Sequence, residues 1–359
     1  MDYGGRFKAK ILIIGRTLSF GGTSRYTTNL IRELEKNKEV DFDFINLKSY
    51  YDLPGKYLKR LNLIRKFPQE IDIGKYDLIH FLQLDYSVYG MLRRLKKNTK
   101  RPKIIKTSHG MAKREENYKG LAGRFIQKPL ISYIQKYVQK NADAMIYVSD
   151  EQREYFIKDF KLDRAKTYVV YLASSFESYK GDLHDLLANK ERSILFVGRI
   201  ERRKRIEEIF EVAKLMPDWQ FKITGHVDDE GYYRELLKTR PENALFLTNI
   251  SDEEIVAAYR KAKYFISFSK WENCPVTYLE SVSQGTPVIA YSMPIHKMIE
   301  NGCGYRVLTP SECVAKIEEL EPVYDSIIEK TVSTSSLFTW EKTASETVWI
   351  YKDVLGIRE

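Results

Sequence analysis

The sequence predicts an α/β protein built from two Rossmann-like domains in series. Three observations predict it. Short apolar runs alternate with helical patterns along the chain, the signature of parallel sheets joined by crossover helices. The alternation comes as two successive series of six runs, separated by the polar segment 177–191, where the linker between the domains is expected. The length of 359 residues is enough for two hydrophobic cores.

In the first series the strand-like runs are 9–14, 41–47, 78–82, 104–107, 144–148 and 167–172. Helical stretches such as 24–36 and 125–140 lie between them. The second series has runs at 193–197, 220–224, 244–247, 264–267, 288–290 and 305–307. Ser251 reads as an N-cap, with Glu254 closing a capping box. The expected domains are residues 1–180, residues 181–335, and a C-terminal helix within 336–359. Two facing sheets of this kind place a ligand in a cleft between domains.

A hydrophobic fraction of 43% and a charged fraction of 30% describe a soluble globular chain. No apolar run is long enough to span a bilayer. The first residues lack the apolar core of a signal peptide. The three cysteines, Cys274, Cys303 and Cys313, fit no metal spacing and cannot all pair, so reduced thiols and a cytoplasmic setting are expected. The net charge of +10 hides an asymmetry. Residues 1–180 carry 36 Lys+Arg against 20 Asp+Glu, a net of +16, and the remainder carries −6. One half is therefore suited to an anionic surface, either lipid or nucleic acid.

The most informative motif is a pair of glutamates, Glu272 and Glu280, separated by seven residues. The first follows a strand and the second lies about two turns into the next helix. A strand-to-helix loop of a parallel sheet sits at the carboxyl edge, where ligands bind. The helix start adds free N–H groups and a positive dipole for a phosphate. The pair resembles the E-x7-E signature of the retaining glycosyltransferases of family 4. That resemblance implies the two-domain GT-B architecture, with the C-terminal helix crossing back onto the first domain.

Other segments are similar to the same family. Gly198-Arg199 through Lys204 looks like its G-R-x4-K element, which implies two cations facing the donor diphosphate. Gly225, in Thr224-Gly225-His226, matches a turn lining the nucleotide pocket, with His226 a surface residue. Asn249 and Ile250 are implied against the base. The loop Gly21-Gly22 before the first helix would bring Gly22 to the donor diphosphate or the acceptor. His109, at a strand end, is implied near the transferred sugar. Ala142 through Ser149 matches the family as scaffold. Three departures stand out. Arg205 replaces the glycine usual after the lysine, Asn273-Cys274-Pro275 replaces the usual Phe-Gly, and Ala173-Ser174-Ser175 stands where the family has Asn-Gly.

The resemblance implies a hexosyltransferase that moves a sugar from a nucleotide-sugar donor, with UDP favoured over GDP, to an acceptor hydroxyl with retention. Glu272, His109, Arg199 and Lys204 are the catalytic set. Gly22, Gly225, Asn249, Ile250, Asn273, Cys274, Pro275, Val276, Thr277 and Glu280 are the donor-binding set. Glu280 would hold the ribose, and Cys274 is a small loop residue and not a nucleophile. No cofactor and no metal are expected, because the cations and a helix start can carry the diphosphate charge. The basic stretch 56–67 and the cations at 93–101 and 113–124 fit an anionic membrane surface, hence a peripheral protein with a glycan or lipid-linked acceptor, such as a cell-surface polysaccharide. Nucleic acid is set aside because no nucleic-acid-binding motif accompanies the charge. A non-catalytic nucleotide-sugar-binding relative, or a GT-B phosphorylase or epimerase, is the alternative reading.

Overall fold

The computed structural model describes residues 9–17, 22–37, 39–47, 64–65, 67–83, 85–95, 100–111, 127–248 and 250–357. The chain forms two compact units, residues 1–171 with 340–359, and residues 172–339.

The first unit is built on six parallel strands, β1 (Lys10–Gly15), β2 (Asp41–Asn46), β3 (Leu78–Phe81), β4 (Lys103–Ser108), β5 (Ala144–Tyr147) and β6 (Thr167–Val169), in the order β2-β1-β3-β4-β5-β6. The central strands are buried on both faces, which explains their continuous apolar runs. Leu12, Ile14, Ile79, Phe81 and Ile104 pack with Val88, Met91, Ile134 and Val138 from the covering helices. The helix Trp340–Leu355 belongs to this unit. Its Tyr351 hydroxyl lies 2.7 Å from Nδ1 of His80, and Thr343 donates to the Tyr171 carbonyl at 3.0 Å.

The second unit also has six parallel strands, β7 (Glu191–Val197), β8 (Gln220–Thr224), β9 (Ala244–Leu247), β10 (Ala262–Ser267), β11 (Val288–Ala290) and β12 (Gly304–Arg306). Their order is β12-β11-β10-β7-β8-β9. Read from β9, this is the 3-2-1-4-5-6 order of the dinucleotide-binding folds. The connections reverse direction between β7 and β10, and the crevice at the carboxyl ends of those two strands is where such sheets bind ligands. Ile194, Phe196, Phe221, Ile223 and Ile266 centre the core.

Two sequence expectations need correction. The segment 177–191 is not a linker. It holds the helix Leu183–Ala188, capped by Asp182, and Leu186 is buried in the core of the second unit. Its polar composition reflects one wet helix face. The chain also leaves β6 after Val169, not 172. Beyond Val170, which bonds to Tyr147, the backbone turns away, and Ser174 donates to Phe338. Crossings between the units thus fall at 171/172 and 339/340.

Candidate functional site

Beside the β7/β10 switch point, the loops after β7 and β8 are locked together by backbone. The Gly198 amide donates to the Thr224 carbonyl at 2.9 Å, and Ile200 donates to His226 at 2.8 Å. Gly225 has φ +145°, and a Cβ on it would stand 1.9 Å from the Gly198 carbonyl oxygen. Glycine is therefore the residue this crossing admits. The loop after β7 then makes a 3-10 turn, Arg202–Lys204, and reaches Arg205 at φ 52°, ψ 52°, immediately before the helix Ile206–Leu215. The left-handed conformation explains why glycine is expected there. Arg205 is held by Glu208 and lies 5.0 Å from the ring of Tyr291.

The loop after β10 brings Glu272 to this turn. Oε1 of Glu272 accepts from the Lys204 ammonium at 2.6 Å and from the Arg203 guanidinium at 3.3 Å. The Glu272 amide donates to Ser292 Oγ at 3.1 Å, and Tyr278 donates to the Ser292 carbonyl at 3.2 Å. Arg203 also donates to the Trp271 carbonyl at 2.7 Å, pairs with Glu201 at 2.9 Å, and stacks 4.7 Å above the Trp271 ring. Glu272 is only 8% exposed. Burial works against its charge, but Lys204 and Arg203 outweigh burial and hold the carboxyl below its ordinary range. It is ionised at neutral pH. Arg199 faces another way. It is half-exposed, with Asp228 at 2.8 Å and Glu201 at 3.1 Å. His226 is exposed beside Asp228.

Past Asn273 and the buried Cys274, Pro275 leads into the helix Val276–Ser283, which no side chain caps. Val276 and Thr277, in its first turn, are part-exposed. Glu280, two turns on, is buried and accepts from the Tyr259 hydroxyl at 3.1 Å. Ile250 is part-exposed ahead of the Ser251 and Glu254 capping box, with its two bonds at 3.2 and 2.7 Å. Asn249 lies outside the described residues.

The structure thus brings Glu272, Lys204, Gly225 and the start of the Glu280 helix to one sheet edge. Gly22 and His109 belong to the other unit. Gly22 opens the helix Gly22–Lys36. His109 follows β4, part-exposed, with its ring 4.5 Å from that of Tyr26. Burial, with Lys106 adding to it, pushes His109 down to about 3, so it is neutral at physiological pH. Sequence reasoning missed Arg203, Ser292 and Tyr259. Arg203 carried a signal, as the middle cation of an Arg-Arg-Lys run. The other two did not, because only the fold brings them to the glutamates.

Comparison with known proteins follows this division. The model of Glycosyltransferase Family 4 matches residues 20–173, and that of Glycosyl transferases group 1 matches residues 184–321. An alpha-monoglucosyldiacylglycerol synthase of Streptococcus pneumoniae is 26% identical over 64% of this chain and 56% of its own length. A UDP-Gal:alpha-D-GlcNAc-diphosphoundecaprenol alpha-1,3-galactosyltransferase of Escherichia coli is 27% identical over 60% of this chain and 57% of its own. The chain thus spans little more than half the length of these curated relatives. The solved sucrose-phosphate synthase of Thermosynechococcus elongatus superposes with a TM-score of 0.71 at 18% identity, over 98% of this chain and 100% of that one. A lipopolysaccharide outer core galactosyltransferase superposes at 0.65 and 20% identity, over 95% and 99%. Matched on both units and along nearly its whole fold, the chain belongs to glycosyltransferase family 4 and has the GT-B fold.

Proposed function

We propose that the protein transfers a sugar from a nucleotide-sugar donor to an acceptor hydroxyl with retention at the anomeric carbon. The observation that carries this reading is the ion pair of Lys204 with Glu272 at the β7/β10 switch point, beside an uncapped helix start. Departure of a nucleoside diphosphate adds negative charge to a group that already carries it, and that charge must be stabilised. Lys204 and the first-turn amides of Val276–Ser283 supply a cation and dipoles for it without a metal ion. Glu272, ionised, then faces the sugar, and Glu280 accepts from the ribose hydroxyls. The acceptor oxygen forms the new bond to the anomeric carbon as the bond to phosphate breaks, and its proton passes to the departing phosphate. Retention rests on the resemblance of the glutamate pair to the family signature.

UDP is the favoured carrier, and a lipid-linked glycan the favoured acceptor. Both choices are supported by relatives whose names specify a UDP-linked donor or a lipid acceptor, and the acceptor also by the basic charge of the first 180 residues. His109, neutral, is assigned to the acceptor side as a hydrogen-bonding group and not as an acid.

Thermal stabilisation by UDP, GDP and ADP and their sugar conjugates tests the reading. Ligand binding to the folded state raises the melting temperature by mass action. A shift in one nucleotide series, lost in Lys204→Ala, is expected. No shift with any nucleotide would leave the non-catalytic alternative standing.

A further inference from the structure

Two helices of the first unit, Asp85–Leu95 and Gln127–Asn141, pack against one another and carry a ridge of large side chains into water. On the second helix, Leu130, Tyr133 and Tyr137 follow at spacings of three and four, which puts them on one face. Leu130 is 51% exposed and Tyr133 56%. Tyr89, from the first helix, completes the ridge, with its ring 5.0 Å from Tyr137 and 6.2 Å from Tyr133. Arg93 sits 5.7 Å over the Tyr89 ring.

The exposed charge that these two helices carry beside the ridge is basic. Lys136 and Lys140 are exposed on the ridge's own helix, which contains no acidic residue. The neighbouring helix has one, Asp85, and its carboxylate faces the buried Lys106 at 3.7 Å. A Cβ on Gly90, beside Tyr89, would stand 2.3 Å from the carbonyl of Ile64. The end of the basic stretch 56–67 therefore lies directly on this helix. Residues 56–63 and 66 of that stretch, like the cations at 96–97 and 113–124, lie outside the described residues.

Exposed aromatic and aliphatic groups leave apolar area in water that a partner would cover. Tyrosines interleaved with lysine and arginine, on two helices whose one acid is turned to Lys106, match the headgroup region of an anionic bilayer, where amphipathic rings sit at the interface and cations meet lipid phosphates. We propose that the Tyr89–Tyr133–Tyr137 ridge, with Leu130, docks this unit onto an anionic phospholipid surface. Leu130 and the rings enter the interface, and Arg93, Lys136 and Lys140 meet the phosphates. The proposal deepens the reading of a lipid-linked acceptor and rests on it for its purpose, since docking here delivers the first unit to the bilayer that holds the acceptor.

Co-sedimentation of the full chain with vesicles tests it, using equal parts phosphatidylglycerol and phosphatidylcholine against phosphatidylcholine alone. The expected result is binding to the anionic vesicles, reduced at least about tenfold by Leu130→Glu with Tyr133→Glu and weakened by salt. Tyr133→Ser, which removes a ring without adding charge, should lower binding several-fold and keeps the test valid should the double variant melt early. The proposal is overturned if the wild type stays in the supernatant, if it binds both vesicles equally, or if both variants bind as wild type does. A wild type that ignores vesicles but self-associates through the ridge would assign the face to protein contact instead. Nucleotide thermal shifts on the same samples separate the two readings. A nucleotide shift without vesicle binding removes the docking face alone, and vesicle binding without a nucleotide shift removes the transferase reading.

Discussion

The Lys204 ammonium lies 2.6 Å from Oε1 of Glu272, although 68 residues separate them in sequence. Each is nearly buried, so each is the other's counter-ion, with Arg203 as a second cation on the same oxygen. Such a pair stands because removing one partner leaves a buried charge exposed to a low dielectric. In the proposed reaction the pair would also hold the lysine in place, so that the donor phosphate would meet a cation already positioned.

Lys204→Met tests this arrangement. Arg203 still serves Glu272, so the fold should lose only about 1–3 kcal/mol, less than for an orphaned charge. Transfer should suffer far more, by roughly 100- to 1000-fold in kcat, as for removal of one preorganised charge-stabilising group. Steady-state kinetics together with melting curves read both effects. A variant whose turnover stays within about threefold of wild type would remove Lys204 from the leaving-group site.

Glu280→Gln keeps the side chain's shape and its bond from Tyr259, now 3.1 Å away, but removes the charge. Hydrogen bonds to a charged acceptor exceed those to a neutral one by about 1–1.5 kcal/mol. Donor affinity should therefore fall about tenfold while kcat changes little. Calorimetric titration with the nucleotide diphosphate measures it, and unchanged affinity would place the ribose elsewhere.

Arg205 can be read through two substitutions. Its left-handed backbone disfavours any residue with a Cβ by about 1 kcal/mol relative to glycine. Its pair with Glu208 and its place over Tyr291 offset part of that. Arg205→Ala loses the contacts and keeps the strain, whereas Arg205→Gly loses both. The glycine variant should be the more stable of the two by about 1 kcal/mol. Denaturant melts of equal midpoint would show that the backbone at 205 is not left-handed in solution.

Much of this was legible in the sequence. The strands of the second unit stand out because the buried stretches Ile194–Phe196, Tyr264–Ile266 and Val288–Ala290 of β7, β10 and β11 read as apolar runs. Ser251 and Glu254 announce a helix start by local chemistry alone, and both bonds are formed. What stayed hidden depends on distant partners. Lys190 looks like one more surface lysine of a polar segment, yet its ammonium is buried against the carbonyls of Ala262 and Gly285, each at 2.9 Å, and Thr286 Oγ1 at 2.7 Å. That contact helps make 177–191 part of a domain and not a tether. Likewise the run 202–204 shows three cations, but only the 3-10 turn decides that Arg203 and Lys204 reach Glu272 while Arg202 pairs with Glu235. The strand order that creates the switch point is a property of the assembled sheet, and no single segment encodes it.

The two histidines of the first unit predict how stability depends on pH. His80 and His109 are each pushed down to about 3, mainly by burial, with Lys106 adding to the effect. His80 is fixed between the Tyr351 hydroxyl and Thr107 Oγ1, both at 2.7 Å. In the unfolded chain a histidine takes up a proton near pH 6.5. Between about pH 6.5 and pH 3 the unfolded state thus binds more protons than the folded one, and stability falls as pH falls. Well inside that window the slope approaches about 1.4 kcal/mol per pH unit for each histidine, and it flattens above pH 6.5. Glu272, held low, adds a loss in the same direction, but only below about pH 4.5, where the unfolded carboxyl protonates. The interval from pH 6.5 to 5 therefore isolates the histidines. Melting temperatures should drop across it in the wild type, and His80→Gln should halve the slope. A flat profile over that interval would mean that these rings reach water in solution, and the link from the C-terminal helix through Tyr351 to β3 would be lost with it.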